Sequence, residues 1–134
     1  MVLLVRLNGT SDIRWENYGI VQAFPDVTFY DYSKLANRKN VPSNYDITFS
    51  YSGVPPYQSQ VKLALESGMR IAVVFEKRST VNRILTNGIK FMGLKVVDGD
   101  DTDVRHIDPK GVAVALYAKG KGKFDKSGFV VREF

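Results

Sequence analysis

The sequence predicts an α/β fold: one domain spanning residues 1–134, built on a largely parallel sheet of about six strands with helices, as an open sheet or a partial barrel. Three observations carry this expectation. Short β-branched runs alternate with segments of helical spacing, the strand–helix–strand rhythm of parallel sheets joined by crossovers. Met69–Phe75 is apolar on both faces, as a parallel strand covered by helices must be. A length of 134 residues with 44% hydrophobic side chains suits one folded domain and leaves no room for a second.

Val2–Leu7 is leucine-rich and β-branched and empties into the turn-forming set Asn8, Gly9, Thr10, Ser11, Asp12, so a first strand leaves into a loop. Ser11 or Asp12 then caps a short helix carrying Ile13, Trp15, Tyr18, Ile20, Val21 and Phe24, stopped at Pro25. Val27–Tyr32 is a second strand, and Ser33–Asn44, polar and basic, is a loop with too few apolar positions to own a core. Tyr45–Tyr51 is the third strand, ended by Gly53, Pro55 and Pro56. Tyr57–Ser67 sets Val61, Ala64 and Leu65 at helical spacing, with Gly68 where a helix ends left-handed. Met69–Phe75 follows as the fourth strand. Ser79 or Thr80 opens another helical pattern through Val81, Ile84 and Leu85, closed by Asn87 and Gly88. Leu94–Val97 and Val112–Tyr117 complete the strands, and Phe129–Val131 either adds a short terminal strand or packs down the end. Val2–Leu7, Met69–Phe75 and Val112–Tyr117 are expected to be buried, with Tyr57–Ser67 packed against the sheet. Ser33–Asn44 and Asp98–Lys110 contain no long helix, which leaves room for antiparallel neighbours.

The absence of cysteine excludes disulfide frameworks, thiolate zinc sites, thiol catalysis and cysteine-held iron–sulfur clusters. Apolar runs such as Ile71–Phe75 and Gly111–Ala118 fall well short of the ~18 residues of a membrane span, and Met1–Val5 has neither a basic leader nor a cleavage pattern. A soluble, cytoplasmic protein without a membrane partner is expected. The net charge of +5 and pI near 9.5 favour contact with phosphate or another polyanion. The charges are clustered: Lys119, Lys121, Lys123 and Lys126 form a basic segment, and Asp98, Asp100, Asp101 and Asp103 an acidic one.

In parallel sheets ligands gather beyond the carboxyl ends of the strands. That rule selects Asn8 and Asp12 after the first strand and Asp31 and Lys34 after the second. Ser50 and Ser52 follow the third, Glu76 and Lys77 the fourth, Asp98, Asp100 and Asp103 the fifth, and Lys119 the sixth. Strand ends must be polar to meet water in any case, so the convergence of several such residues carries the site. Asp12, Asp31, Asp98 and Asp100 are the candidate catalytic carboxylates, suited to proton transfer or metal-assisted phosphate chemistry. Asn8, Lys34, Ser50, Ser52, Lys119 and Lys121 are the candidate ligand-binding residues. The expectation places Asn8, Asp12, Asp31, Asp98 and Asp100 in one polar cleft.

Named motifs fail on their spacing. The run from Asp98 begins like a calcium loop, but its sixth position is Asp103 where glycine is required and its twelfth is Pro109 where a bidentate Glu belongs. A magnesium ion on two of these aspartates is one alternative; solvated turn carboxylates are the other. No metal ligand is assigned. Gly120–Lys123 lacks the spacing of a P-loop. Asp31 and Lys34 face opposite ways in a regular strand, which defeats a nuclease pairing. His106 has no partner for a metal site or a nucleophile. Half of the aromatic set Phe29, Tyr30, Tyr32, Tyr45, Phe49 and Tyr51 should be core; the outward half, beside Lys34, Arg38 and Lys39, either stacks bases or packs under helices.

Successive blocks, Arg6-Leu-Asn-Gly-Thr-Ser-Asp12, Phe29-Tyr-Asp-Tyr-Ser-Lys34, Asn44-Tyr-Asp-Ile-Thr-Phe-Ser50 and Ile71-Ala-Val-Val-Phe75, resemble an uncharacterised family of bacteriophage-encoded proteins. Val97-Asp-Gly-Asp-Asp-Thr-Asp-Val-Arg105, Ile107-Asp-Pro109, Ala118-Lys-Gly120 and Ser127-Gly-Phe-Val130 continue the resemblance over nearly the whole chain. Longer members carry a cysteine-containing segment before the first block, so the resemblance is to their C-terminal portion. The pattern is also similar to partial barrels of the radical-enzyme and base-exchange types, an analogy of fold alone. The resemblance implies a phage product in the cytoplasm of a bacterial host and transfers no catalytic residue. It leaves a protein that acts on or binds a nucleotide or nucleic acid, or a non-catalytic protein that binds and inhibits a host protein. It leaves open whether the chain is an enzyme. The opening strand, with a free edge, predicts a homo-oligomer.

Overall fold

The computed structural model describes residues 3–8, 11–100, 110–119 and 127–132. The strands are β1 (Leu3–Arg6), β2 (Val27–Ser33), β3 (Tyr45–Ser50), β4 (Ile71–Phe75), β5 (Val96–Asp98) and β6 (Ala113–Tyr117). Among the described residues three α-helices join them: α1 (Ile20–Ala23), α2 (Gln58–Glu66) and α3 (Arg78–Asn87). The six strands form one sheet in the order β1-β2-β3-β4-β6-β5, and every pairing is parallel. The sheet is open and strongly curled, a half-barrel with helices. Among the described residues no helix is long and apolar enough to cross a membrane.

Register and the two-residue period of a strand fix which side chains share a face. Phe29 pairs Tyr45, Phe49 pairs Ile71 and Ile71 pairs Ala113, so these residues line one face together with Ile47, Val73 and Phe75. That face receives Val61 and Ala64 of α2 and Val81 and Ile84 of α3 in one apolar cluster. Val21 of α1 seats on Phe29, Tyr45 and Ile47 in a second. Val81 and Ile84 are fully buried, and each such side chain contributes roughly 1.5–3 kcal/mol of hydrophobic stabilisation. The opposite face carries Arg6, Tyr32, Thr48 and Ser50.

The first helix, expected as one short continuous element through Phe24, is two pieces, a 3-10 turn over Trp15–Asn17 and α1, separated by Gly19 in the left-handed region at φ 77°. Neither Ser11 nor Asp12 caps it, because both side chains are spent on the loop around Asn8 and on β2. Helix α3 starts at Arg78, before the expected Ser79 or Thr80, and ends as expected at Gly88. Leu94 leaves the fifth strand because it closes a tight turn with Phe91. The first strand is not buried: among the described residues β1 has one neighbour, and Leu3 is 54% exposed.

β3 and β4 pair only at Phe49–Ile71 and Ser50–Ala72 and then part. The segment 127–132 enters this gap. Gly53 N–H donates to the Gly128 carbonyl at 2.9 Å, and Val131 exchanges bonds with Val74 and Glu76 at 2.8 and 2.9 Å. The expected terminal strand is thus a single parallel bridge, Val131 with Phe75.

Candidate functional site

Asp31 is the third residue from the end of β2 and faces the helix-covered side, 2% exposed. Its carboxylate accepts from the Asn8 backbone N–H at 2.8 Å, from Asn8 Nδ2 at 3.1 Å and from the Tyr45 hydroxyl. Burial pushes the Asp31 carboxyl up, and the hydrogen bonds from Tyr45 and Asn8 and the charges of Arg38 and Arg6 offset this only in part. Asn8 is equally buried. Its Oδ1 accepts from Trp15 Nε1 at 2.9 Å and Ser11 Oγ at 3.0 Å, and its Nδ2 donates to the Ile13 carbonyl at 3.0 Å. The pair ties the loop after β1 to β2.

Asp12 makes the next tie. It accepts from Ser33 Oγ at 2.7 Å and from the Lys34 backbone N–H at 2.9 Å. Beside it lies an ion pair that sequence patterning does not show. Arg38 donates to Glu16 through Nε at 2.8 Å and Nη2 at 2.6 Å, with side-chain exposures of 3% and 1%. Burial alone would raise the Glu16 carboxyl, but the hydrogen bonds and charge of Arg38 hold it below its ordinary value. Arg38, read from sequence as a residue of the outward basic surface beside Lys39, is therefore interior. The loop after β2 folds back and delivers it onto Glu16 and the Tyr45 ring, 5.3 Å from the guanidinium.

On the other face, the carboxyl ends of β1, β2 and β3 enclose a cleft of about 420 Å³ whose walls include Arg6, Asp12, Tyr32, Lys34, Ser50 and Tyr57. The Arg6 guanidinium lies 5.3 Å from the centre of the Tyr32 ring. Lys34 Nζ sits between two aromatic rings, 5.2 Å from Tyr57 and 4.7 Å from Phe129. Among the described residues no carboxylate lies within ion-pair distance of Lys34 Nζ. Two cations, one partly exposed carboxylate, hydroxyls and aromatic rings thus converge where parallel sheets hold ligands.

The expected single cleft divides. Asn8, Asp12 and Asp31 are joined in one network, but Asp98 and Asp100 belong to β5 and its exit, at the opposite edge of the sheet from β1. Arg78 holds Asp98 with two bonds, 3.0 and 2.7 Å, and the Asp100 N–H caps the same carboxylate at 3.0 Å. Asp100 in turn accepts from the Tyr117 N–H at 3.2 Å and from Lys119 Nζ. Ser52 is buried and accepts from the Val54 N–H at 3.2 Å, which shapes the turn after β3. Lys34 and Ser50 line the cleft. Asp103, His106, Lys121, Lys123 and Lys126 lie outside the described residues. Among the described residues no group of three His, Asp or Glu side chains is placed to hold a metal ion.

Arg6, Tyr57, Phe129 and Glu16 were missed from sequence. Arg6 was detectable in principle, since it ends β1 on the face shared with Tyr32. Tyr57 and Phe129 carry no local signal, because a turn and a distant chain segment bring them to Lys34.

A family model described as Gene product 88 matches residues 2–133, and the chain belongs to that phage-type family. No curated protein and no solved structure matches it.

Proposed function

We propose that this member of the Gene product 88 family binds a nucleotide or nucleic acid in the cleft at the carboxyl ends of β1, β2 and β3, in the cytoplasm of a bacterial host. The observation that carries the reading is Lys34: an ammonium fixed between two rings, facing a polar cleft, without a carboxylate partner among the described residues. A cation held in this way is ready for an anionic ligand, and the Tyr32 and Tyr57 rings suit a base. Binding is favoured over catalysis because Asp12, Asp31, Asp98 and Asp100 already accept hydrogen bonds from named donors. The test is fluorescence titration of the protein, through its aromatic side chains, with mixed nucleotides and a single-stranded oligonucleotide at low salt. Saturable binding that Lys34→Met weakens supports the reading; no binding of either probe overturns it.

A second reading, a non-catalytic protein that binds and inhibits a host protein, is favoured by one surface. Of six large hydrophobic side chains exposed among the described residues, Leu3, Ile13, Tyr18, Ile20 and Phe24 fall between residues 3 and 24, beside edge strand β1. Large apolar side chains left exposed along one stretch of chain are available to a protein partner. A host protein captured by the wild type and lost with Phe24→Lys supports it.

A further inference from the structure

We infer that the cavity between α2 and the turn after α3 is a second binding site, which takes a small molecule with an aliphatic body and a carboxylate head. The site is separate from the cleft proposed for a nucleotide. Tyr51, which follows β3, packs its ring into the apolar cluster of the helix-covered face, whereas its neighbour Ser50 lines the cleft. The cavity has a volume of about 400 Å³, within the roughly 300–1,000 Å³ usual for small-ligand pockets.

One wall is a single face of α2. Gln58, Val61, Lys62 and Leu65 stand at helical spacings of three and four, so their side chains lie above one another. Val61 is buried and Leu65 half-buried, which makes the deep part of the wall apolar; Gln58 and Lys62 are exposed at its rim.

The facing wall is Met92, 50% exposed. It lies in a two-residue turn that Phe91 and Leu94 close with paired backbone hydrogen bonds of 2.9 and 2.8 Å. Both central residues have positive φ, 48° at Met92 and 80° at Gly93. Turns of this kind favour Asn, Asp or Gly at the first central position, because a larger side chain is strained in the left-handed region. Phe91 anchors the turn, packed edge-on against Tyr51 and Phe75 with ring centres 5.1 and 5.9 Å away. A fixed turn therefore holds an unbranched, adaptable thioether chain over the cavity at the expense of its own backbone. Strain that local preference does not explain points to a contact made by the side chain.

The rim selects the head group. Among the described residues the side chains of Gln58 and Lys62 and the Tyr51 hydroxyl have no hydrogen-bond or ion-pair partner. Lys62 is the one charged residue among the described residues that line the cavity. Glu66, one turn further along α2, is exposed, lies outside the lining and forms no ion pair with Lys62. An ammonium, an amide and a hydroxyl at one rim offer donors to a carboxylate. Lys62 is solvated, so its charge discriminates between head groups while burial of the aliphatic body supplies most of the affinity.

Isothermal titration of the full chain with octanoate and with octylammonium tests the inference. Octanoate should saturate at one molecule per chain and bind at least about fivefold tighter than octylammonium. Lys62→Met, on the exposed side of α2, should bring the two affinities to within about twofold of each other. Met92→Asn should weaken octanoate by about fivefold or more, while the melting temperature holds or rises because Asn suits the turn; Met92→Leu should keep most of the affinity. Octanoate affinity unchanged in Met92→Asn overturns the assignment to this cavity. Equal binding of the two amphiphiles by the wild type, or a preference that survives Lys62→Met, overturns the carboxylate assignment. Octanoate uptake that never saturates, or no uptake, overturns the site.

Discussion

The Glu16–Arg38 pair should be the most sensitive polar contact in the fold. Arg38 donates twice to Glu16, at 2.6 and 2.8 Å, once to the Ile13 carbonyl at 2.9 Å and once to the Tyr45 hydroxyl at 3.2 Å. Arg38→Met keeps much of the apolar stem but leaves a carboxylate that is 1% exposed without its cation. Breaking a buried pair by removing one partner costs about 3–5 kcal/mol, a large share of the roughly 5–15 kcal/mol that holds a domain folded. With a urea m-value near 2 kcal/mol/M, the unfolding midpoint should fall by about 1.5–2.5 M. Glu16→Gln should cost less, because Asp12 lies 3.5 Å from Arg38 Nη1 and inherits part of the charge. The double variant Glu16→Leu with Arg38→Met should lose far less than the sum of the corresponding single variants, since no charge is then left buried alone. Urea melts followed by circular dichroism measure each corner of the cycle. Single variants within about 0.5 kcal/mol of wild type, or strict additivity, would refute the burial and the coupling together.

Three further outcomes are expected. Glu16 and Asp46 both titrate below their ordinary values, against the upward push of burial, because Arg38 holds the first and Arg70 with Lys110 the second; their stabilisation is therefore present above the unfolded carboxylate range and is lost as pH falls through the folded values. Asp31, raised by burial, acts with the opposite sign and stabilises most below that range. Asp46→Asn should flatten the acid limb of stability measured between about pH 2 and 5, and an unchanged limb would show that the Asp46 pair contributes nothing there. Gly53→Ala and Gly99→Ala should each cost about 1–3 kcal/mol. A Cβ at Gly53 would meet the Gly128 carbonyl oxygen at 2.6 Å, and one at Gly99 would meet Val114 Cγ1 at 2.4 Å; melting temperatures equal to wild type would contradict these close approaches. The free edge of β1, with Leu3 54% exposed, should pair with a second copy, giving a dimer by light scattering that Leu3→Lys dissociates; a wild-type monomer at micromolar concentration would count against it.

Much of the fold was legible because strands and helices leave local records. Met69–Phe75 is apolar at every position but Arg70, and it became the central strand β4, flanked by β3 and β6. Gly88 sits left-handed directly after α3, and Gly68 does so one residue beyond the end of α2, as expected from glycine at helix ends. What the chain does not record locally is order and edge. Val2–Leu7 reads as buried because every side chain but Arg6 is apolar, yet among the described residues β1 has one neighbour. β5 is passed over so that β6 can take the place beside β4, a consequence of how the crossovers pack rather than of composition. The break at Gly19 was visible as a glycine, but a continuous hydrophobic pattern on either side concealed its left-handed turn.

The candidate site was legible as a location and illegible as a set of partners. Lys34, Ser50 and Asp12, all selected by carboxyl-end placement, line the cleft. The same placement also grouped every acidic residue after a strand, because topology alone does not tell which face a side chain leaves or which cation reaches it. Asp31 and Tyr32 are adjacent in β2 and therefore leave opposite faces: Asp31 goes to Asn8 and Tyr45, and Tyr32 to the cleft. Asp98 follows a strand just as Asp12 follows one, but Arg78 at the start of α3 closes on it with two bonds. Such pairings are non-local, with partners 20 to 26 positions apart in the cases of Arg78–Asp98, Arg38–Glu16 and Arg38–Asp12. They decide the chemistry by subtraction. Each carboxylate that folding assigns to an internal cation removes both members from ligand binding, and the charge that folding leaves uncompensated in a cleft marks where an anion is accepted. Lys34 is such a charge, and the two rings that hold it come from positions 72 residues apart (129 − 57): Tyr57 from the turn before α2, and Phe129 from the segment that enters between β3 and β4.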